Sequence, residues 1–273
     1  MASTGGAHYA FFSQGAAVNV VVTPDGRHLP QPNPASFNLE LVTSLSGPTV
    51  VPTGYQGVAL MSPDGKTLVL ASGNYGARDT GPGGGADTII AGSGNDTIYG
   101  GKATRLIAGG SGADVIYAGA HESVGGGTGP ATIVGGKYDT IAGGSGTLSV
   151  DGSAGHEQIT AGSGQSTIVA AQHDTVFGTS GDPTIELGGG PSTINLGSGA
   201  DYVVDKGIKS SATVTGFDQI GGDRISFAGE TTALINHVVA TAKSTATHTI
   251  VSFPDGTTLT LVGVRHIDAT FFK

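Results

Sequence analysis

The sequence predicts an all-β chain: a parallel β-solenoid of nonapeptide turns with β-rich caps at its N- and C-terminal ends. Three observations predict it. Glycine recurs with a nonapeptide period, one position in each period is always Ile or Val, and both flanks lose the period while keeping strand-like runs. The 273 residues include 49 Gly and 12 Pro, with 12% charged residues, 6% aromatic residues and no Trp. Glycine at this level usually marks a low-complexity chain. Here it alternates in register with aliphatic residues, so it marks ordered turns around a thin aliphatic core.

The central element is the repeat, and internal repeats decide the fold when they are present. Ala91–Tyr99 reads A-G-S-G-N-D-T-I-Y, and Gly109–Tyr117 reads G-G-S-G-A-D-V-I-Y. Six residues make a tight turn and three make a short strand whose middle side chain points inward. Glycine serves in the turn where φ is positive or where the backbone crowds a ligand. Threading this period through the chain puts Ile89, Ile98, Ile107, Ile116, Val124, Ile133 and Ile141 at inward positions. It continues through Val150, Ile159, Ile168, Val176, Ile185, Ile194 and Val203. Two nonads complete one coil, so each turn stacks on the next but one and the acids align along two edges.

One edge reads Asp79, Asp96, Asp114, Ala131, Leu148, Ser166, Pro183, Asp201. Ca²⁺ takes carboxylate and carbonyl oxygens. The turns resemble the RTX (repeats-in-toxin) calcium repeat, and that resemblance implies that the best calcium sites lie between Asp79 and Asp96 and between Asp96 and Asp114, in the turns of Gly92, Gly94, Gly110 and Gly112. Asp201 is a further candidate ligand. The other edge reads Asp87, Arg105, Glu122, Asp139, Glu157, Asp174, Ser192. Arg105 is expected to pair with the acids on both sides of it, in place of an ion. Glu122, Asp139, Glu157 and Asp174 follow His121, Tyr138, His156 and His173 in turns that are mostly one residue short. Two readings stand for them. One is a ladder that binds a metal or a sugar. The other is a variant tight turn whose acid caps its own backbone and whose ring stacks on its neighbour.

These nonads match G-G-x-G-x-D-x-U-x, with U aliphatic, and resemble the RTX (repeats-in-toxin) calcium repeat. With the tail Val264–Lys273, the chain resembles RTX proteins exported by bacterial type I secretion. The resemblance implies a β-roll that binds Ca²⁺, an uncleaved C-terminal export signal, and an extracellular, secreted protein that folds when it meets calcium. Gly54–Leu60 (GYQGVAL) is similar to the lead-in of bacterial RTX surface proteins.

Three segments follow: an N-terminal cap at 1–73, the roll at 74–204, and a C-terminal cap with the export signal at 205–273. In the first, Val18–Val22 leads into Thr23-Pro24-Asp25-Gly26. Val58–Met61 leads through Ser62-Pro63-Asp64-Gly65 to Leu68–Leu70. Apolar runs joined by P-D-G read as hairpins, and Pro30, Pro32 and Pro34 make a stiff extended link. In the last, Thr213–Asp218 and Asp223–Phe227 read as strands, and Thr249–Phe253 with Thr257–Val262 as a hairpin.

Function is bounded mostly by exclusion. A net charge of −9 suits hard cations and not nucleic acid, whose phosphates need Lys and Arg. The absence of Cys excludes disulfides and thiolate sites. Met1–Gln14 has no signal-peptide pattern, and no apolar run approaches the ~18 residues of a membrane helix. His121-Glu122 and His156-Glu157 begin like H-E-x-x-H, but Gly125 and Thr160 stand where the second His belongs. Neither a nucleophile elbow nor a phosphate loop occurs. The expectation is a non-enzymatic, calcium-binding structural protein of a bacterial surface or biofilm matrix, with self-association into filaments as an extension. The alternative is a polysaccharide-binding or polysaccharide-modifying protein acting through the acidic/His edge. Outward Thr residues such as Thr167 and Thr184 also fit sugar or ice binding, and fit plain β-propensity as well.

Overall fold

The computed structural model describes residues 9–13, 18–23, 31–46, 51–83 and 86–273. The expected turn at Pro24–Gly26, Pro30, and most of the Met1–Gln14 segment lie outside them. The chain divides into two compact units, Met1–Val134 and Gly135–Lys273. Each is a β-solenoid.

In the first unit, one sheet runs through Tyr9–Phe12, Gly76–Asp79, Thr97–Tyr99, Asp114–Tyr117 and Ala131–Val134. Its first pair is antiparallel and the rest are parallel. The other sheet runs through Val18–Thr23, Phe37–Val42, Gly57–Met61, Thr67–Ser72, Asp87–Ala91, Thr104–Ala108 and Ser123–Gly125. Gly57–Met61 and Thr67–Ser72 form the expected hairpin, turned where Gly65 N donates to Ser62 O. Val18–Thr23 does not form one. It pairs in parallel with Phe37–Val42, because the intervening segment is long enough for a crossover, which needs about a dozen residues or more.

The second unit has an all-parallel sheet of Leu148–Asp151, Ser166–Ala170, Thr184–Leu187, Tyr202–Asp205 and Arg224–Phe227. Its partner sheet runs Thr140–Ala142, Gln158–Thr160, Thr175–Phe177, Gly190–Asn195, Ser210–Thr215, Thr258–Val262, His248–Ser252 and Lys243–Ser244. The last two pairings are antiparallel and include the expected hairpin. A helix at Thr232–Thr241, which the repeat pattern does not foretell, is capped by the Thr231 side chain accepting from Leu234 N and buries Val238. The tail docks through Phe271 stacked on Phe217 and Lys273 N donating to Ile225 O.

The core is the column of inward residues. Every inward Ile or Val from Ile89 to Val203 is at most 2% exposed. Within each unit they stack coil on coil, as in Ile98 on Ile116 on Ile133 and Ile159 on Val176 on Ile194. Each contributes about 1.5–3 kcal/mol of burial. On the outer face of the first unit, Arg78, Tyr99 and Tyr117 share a column. The guanidinium lies 4.4 Å from the Tyr99 ring centre, and the two tyrosine rings stack at 4.7 Å with 10° between their planes.

Candidate calcium sites

Asp96 and Asp114 each close a glycine turn and open a strand. None of Gly92, Gly94, Gly110 or Gly112 has a positive φ. Close approach requires these glycines instead. A Cβ on Gly94 would collide with the Gly73 carbonyl oxygen, one on Gly110 with Gly92 O, and one on Gly112 with Gly94 O. Carbonyls of one coil thus pack directly on Cα atoms of the next. Asp114 accepts from Asp96 N at 3.0 Å and from Gly110 N at 2.8 Å. Asp96 accepts a long bond from Tyr75 N at 3.4 Å. Its Oδ2 is buried with no hydrogen-bond partner. Burial pushes the Asp96 carboxyl up to about 7, and the Asp114 charge adds to the rise. Burial also raises Asp114, against the pull of its two backbone N–H donors.

Asp79 is not the upper partner of Asp96. The register sets Ala77 beside Ile98, so Tyr75 stands over Asp96 and Asp79 ends its strand on the opposite edge. The reason is local: Gly81-Pro82 follows, and neither residue sustains a strand, so the strand ends at Asp79 instead of starting there. There Asp79 meets Asp87. Asp79 Oδ1 and Asp87 Oδ2 each lie 3.0 Å from where a Cβ on Gly81 would stand. Asp79 also accepts from Gly81 N at 2.7 Å and from the Thr104 hydroxyl.

Arg105 does not bridge its neighbouring acids. A bulge pairs Asp87 with Thr104 and Thr88 with Leu106. Thr104 fills the slot, fully buried, while Arg105 is exposed and donates to Thr104 O at 2.9 Å. A hydroxyl meets a buried acid at far lower desolvation cost than a guanidinium.

His121, Tyr138, His156 and His173 are the non-glycine residues with positive φ among those described, at 64°, 69°, 63° and 63°. A left-handed residue just before the acid reverses the chain in fewer residues, which accounts for the short turns. Asp139 accepts from Gly136 N at 2.7 Å. Asp174 accepts from Ala171 N and Glu157 N, both at 2.8 Å. Tyr138 packs on His156 at 5.0 Å and His156 on His173 at 4.8 Å. For Asp139 and Asp174 this is the self-capping turn with stacked rings. Glu157 differs: both of its carboxylate oxygens are buried without a hydrogen-bond partner. Burial pushes it up to about 8, with Asp174, Asp139 and Asp151 adding. Glu122 is also buried, its carboxylate against Gly100 and Gly119.

One site residue lies outside the nonads. Tyr202 pairs with Arg224, which places Asp223 under Asp201. Asp223 accepts from Asp201 N at 2.9 Å and Asp218 N at 2.7 Å. Asp201 accepts from Gly197 N at 2.9 Å, and its Oδ1 is buried with no partner. Burial pushes Asp201 up to about 6, with Asp223 and Asp182 adding. The signal was in the sequence: Gly221-Gly222-Asp223-Arg224-Ile225 repeats the D-x-U core of the nonad.

The profile of the RTX calcium-binding nonapeptide repeat matches residues 83–103, 106–122, 139–168, 151–185 and 177–204. These segments are RTX repeats. No curated protein and no solved structure matches the chain. The RTX repeat is a calcium-binding element, not a catalytic one. Among the described residues no three His, Cys, Asp or Glu side chains are placed to hold a metal together. An ion here draws instead on carboxylate pairs and turn carbonyls, a donor set that suits Ca²⁺. The buried, partnerless oxygens of Asp96 and Asp201 fit that use.

Proposed function

We propose that this RTX protein is a structural, calcium-dependent protein of the cell exterior, exported by a type I route and folded by calcium on arrival. The ions lie between Asp96 and Asp114 and between Asp201 and Asp223, with Asp79 and Asp87 converging at Gly81 as a weaker candidate. Residues 1–73 and 205–273 cap the repeats. The observation that carries the reading is the buried Asp96 oxygen without a partner, set between stacked RTX turns. An orphaned charge of this kind costs several kcal/mol, so the metal-free fold is poor and a cation that binds only the folded form stabilises it. No helix among the described residues is long and apolar enough to cross a membrane.

Circular dichroism in EDTA and in calcium tests this. A β signal that grows and melts at higher temperature with calcium is expected. An identical spectrum and melting curve in both would sink the reading. Exopolysaccharide binding is the second reading, carried by the surface column in which Tyr138 and His156 lie 5.0 Å apart and His156 and His173 4.8 Å apart. A glycan array checks that point.

A further inference from the structure

We infer that the outer face of the first unit carries a binding groove for an uncharged saccharide, walled by Asn74 and Asn95 on one side and by Tyr99 and Tyr117 on the other. The groove is separate from the ring column of Tyr138, His156 and His173, and no carboxylate lines it.

The nonad G-G-x-G-x-D-x-U-x leaves its fifth, seventh and ninth positions open. In the coil that holds Asp96 these are Asn95, Thr97 and Tyr99, which alternate with the buried Asp96 and Ile98. The solenoid does not dictate them, so their chemistry is informative. The parallel register sets Gly76 and Val115 on either side of Thr97, and Tyr99 beside Tyr117. Short side chains therefore run along the middle of the face. Carboxamides flank them at the turn and phenols at the far end of the strands. The result is a cavity of about 520 Å³, a size that takes small ligands. Phe12 bounds it. Its ring meets Tyr99 edge-on at 5.5 Å and lies over Gly76, where a Cβ would collide with it.

The lining groups are held in place yet keep hydrogen-bonding capacity. Asn74 Oδ1 accepts from Asn95 N at 2.9 Å, and Asn95 Oδ1 accepts from Ala113 N at 2.8 Å. Each carboxamide is thus fixed through its oxygen and keeps its two N–H donors. Tyr99 is clamped between the Arg78 guanidinium and the Tyr117 ring. Neither phenol hydroxyl bonds to another of the described residues. The groove therefore offers fixed, neutral donors and acceptors beside aromatic carbon. A ligand rich in hydroxyls, with C–H patches between them and no charge, satisfies both walls. Nucleic acid does not, since its phosphates need Lys and Arg. A peptide added as a strand needs an open sheet edge, and Thr97–Tyr99 is paired on both sides.

A microarray of neutral and uronate-bearing oligosaccharides, probed with the labelled full chain in calcium, tests this. Retention on neutral saccharides is expected. Y99F combined with Y117F removes both hydroxyls and keeps the ring stack. N95D keeps the oxygen that Ala113 N needs and loses the donors. Each variant should bind about tenfold more weakly, the loss of one or two hydrogen bonds, while calcium still raises its melting temperature. Retention of uronates alone, or of no saccharide, overturns the inference, as does undiminished binding by both variants. Binding lost in H156A but kept in both groove variants belongs to the ring column and also overturns it. A β signal that still grows with calcium in any of these cases leaves the calcium reading standing.

Discussion

A left-handed backbone costs a side-chain-bearing residue about 1–2 kcal/mol, and His156 accepts that cost at φ 63°. Its ring is held between Tyr138 and His173, contacts worth about 0.5–1.5 kcal/mol each. Two variants separate these effects. H156A and H156G both lose the ring, but only glycine relieves the backbone. H156G should therefore be the more stable of the pair by about 1 kcal/mol, read from urea midpoints. Asp96 gives the opposite kind of test. D96N neutralises a buried orphan, so the variant should melt higher than wild type in EDTA and respond less to calcium. Residue identity was legible where chemistry is local: Asp96, Asp114 and Asp201 stand out by motif. Asp79 was misplaced because motif counting ignores that Gly81-Pro82 cannot continue a strand. Arg105 was misplaced because a bulge is invisible to a fixed period.

Among elements, the inward column was read in full from the nonad period, since a single Ile or Val per strand leaves no ambiguity about which face is buried. Ile116 stacks between Ile98 and Ile133 and is fully buried. Ile116→Ala should cost about 2–5 kcal/mol, measured by chemical denaturation in calcium. The helix at Thr232–Thr241 escaped notice because it is short and buries only Val238. The pairing of Val18–Thr23 escaped because hairpin and crossover share the same local turn residues. The turn edges also set a pH response. Carboxyl groups titrate near 4 when unfolded, whereas burial lifts Asp201, Asp96 and Glu157 to about 6, 7 and 8. The folded form holds these protons longer, so the stability they lend is full below pH 4 and is lost as pH rises through those values. Thermal melts in EDTA should fall from pH 5 to pH 8, and calcium should flatten the slope.

For the whole molecule, the proposal couples folding to location. Under the proposed function, calcium that binds only the native form shifts the chain toward it by mass action, so the fraction folded should rise with calcium concentration. Self-association by strand pairing has limited room. One sheet of the second unit ends in the two-residue strand Lys243–Ser244, a length and a charge that blunt pairing. Among the described residues, Val18–Thr23 is the longer terminal strand of its sheet, with Val22 46% exposed. Any calcium-dependent growth in light scattering should therefore be abolished by V22K. Growth that persists in V22K would exclude that strand as the joint.

The paired rings of Tyr99 and Tyr117 have a practical consequence. Each belongs to a different coil, and their planes come within 10° only when the two coils lie in register. The chain has no Trp, so no indole obscures tyrosine in the near ultraviolet. Two parallel phenol chromophores at 4.7 Å couple their transitions and change the ultraviolet absorption and fluorescence from those of an isolated tyrosine. Coil closure can thus be followed optically in the unlabelled protein, in real time, as calcium is mixed in.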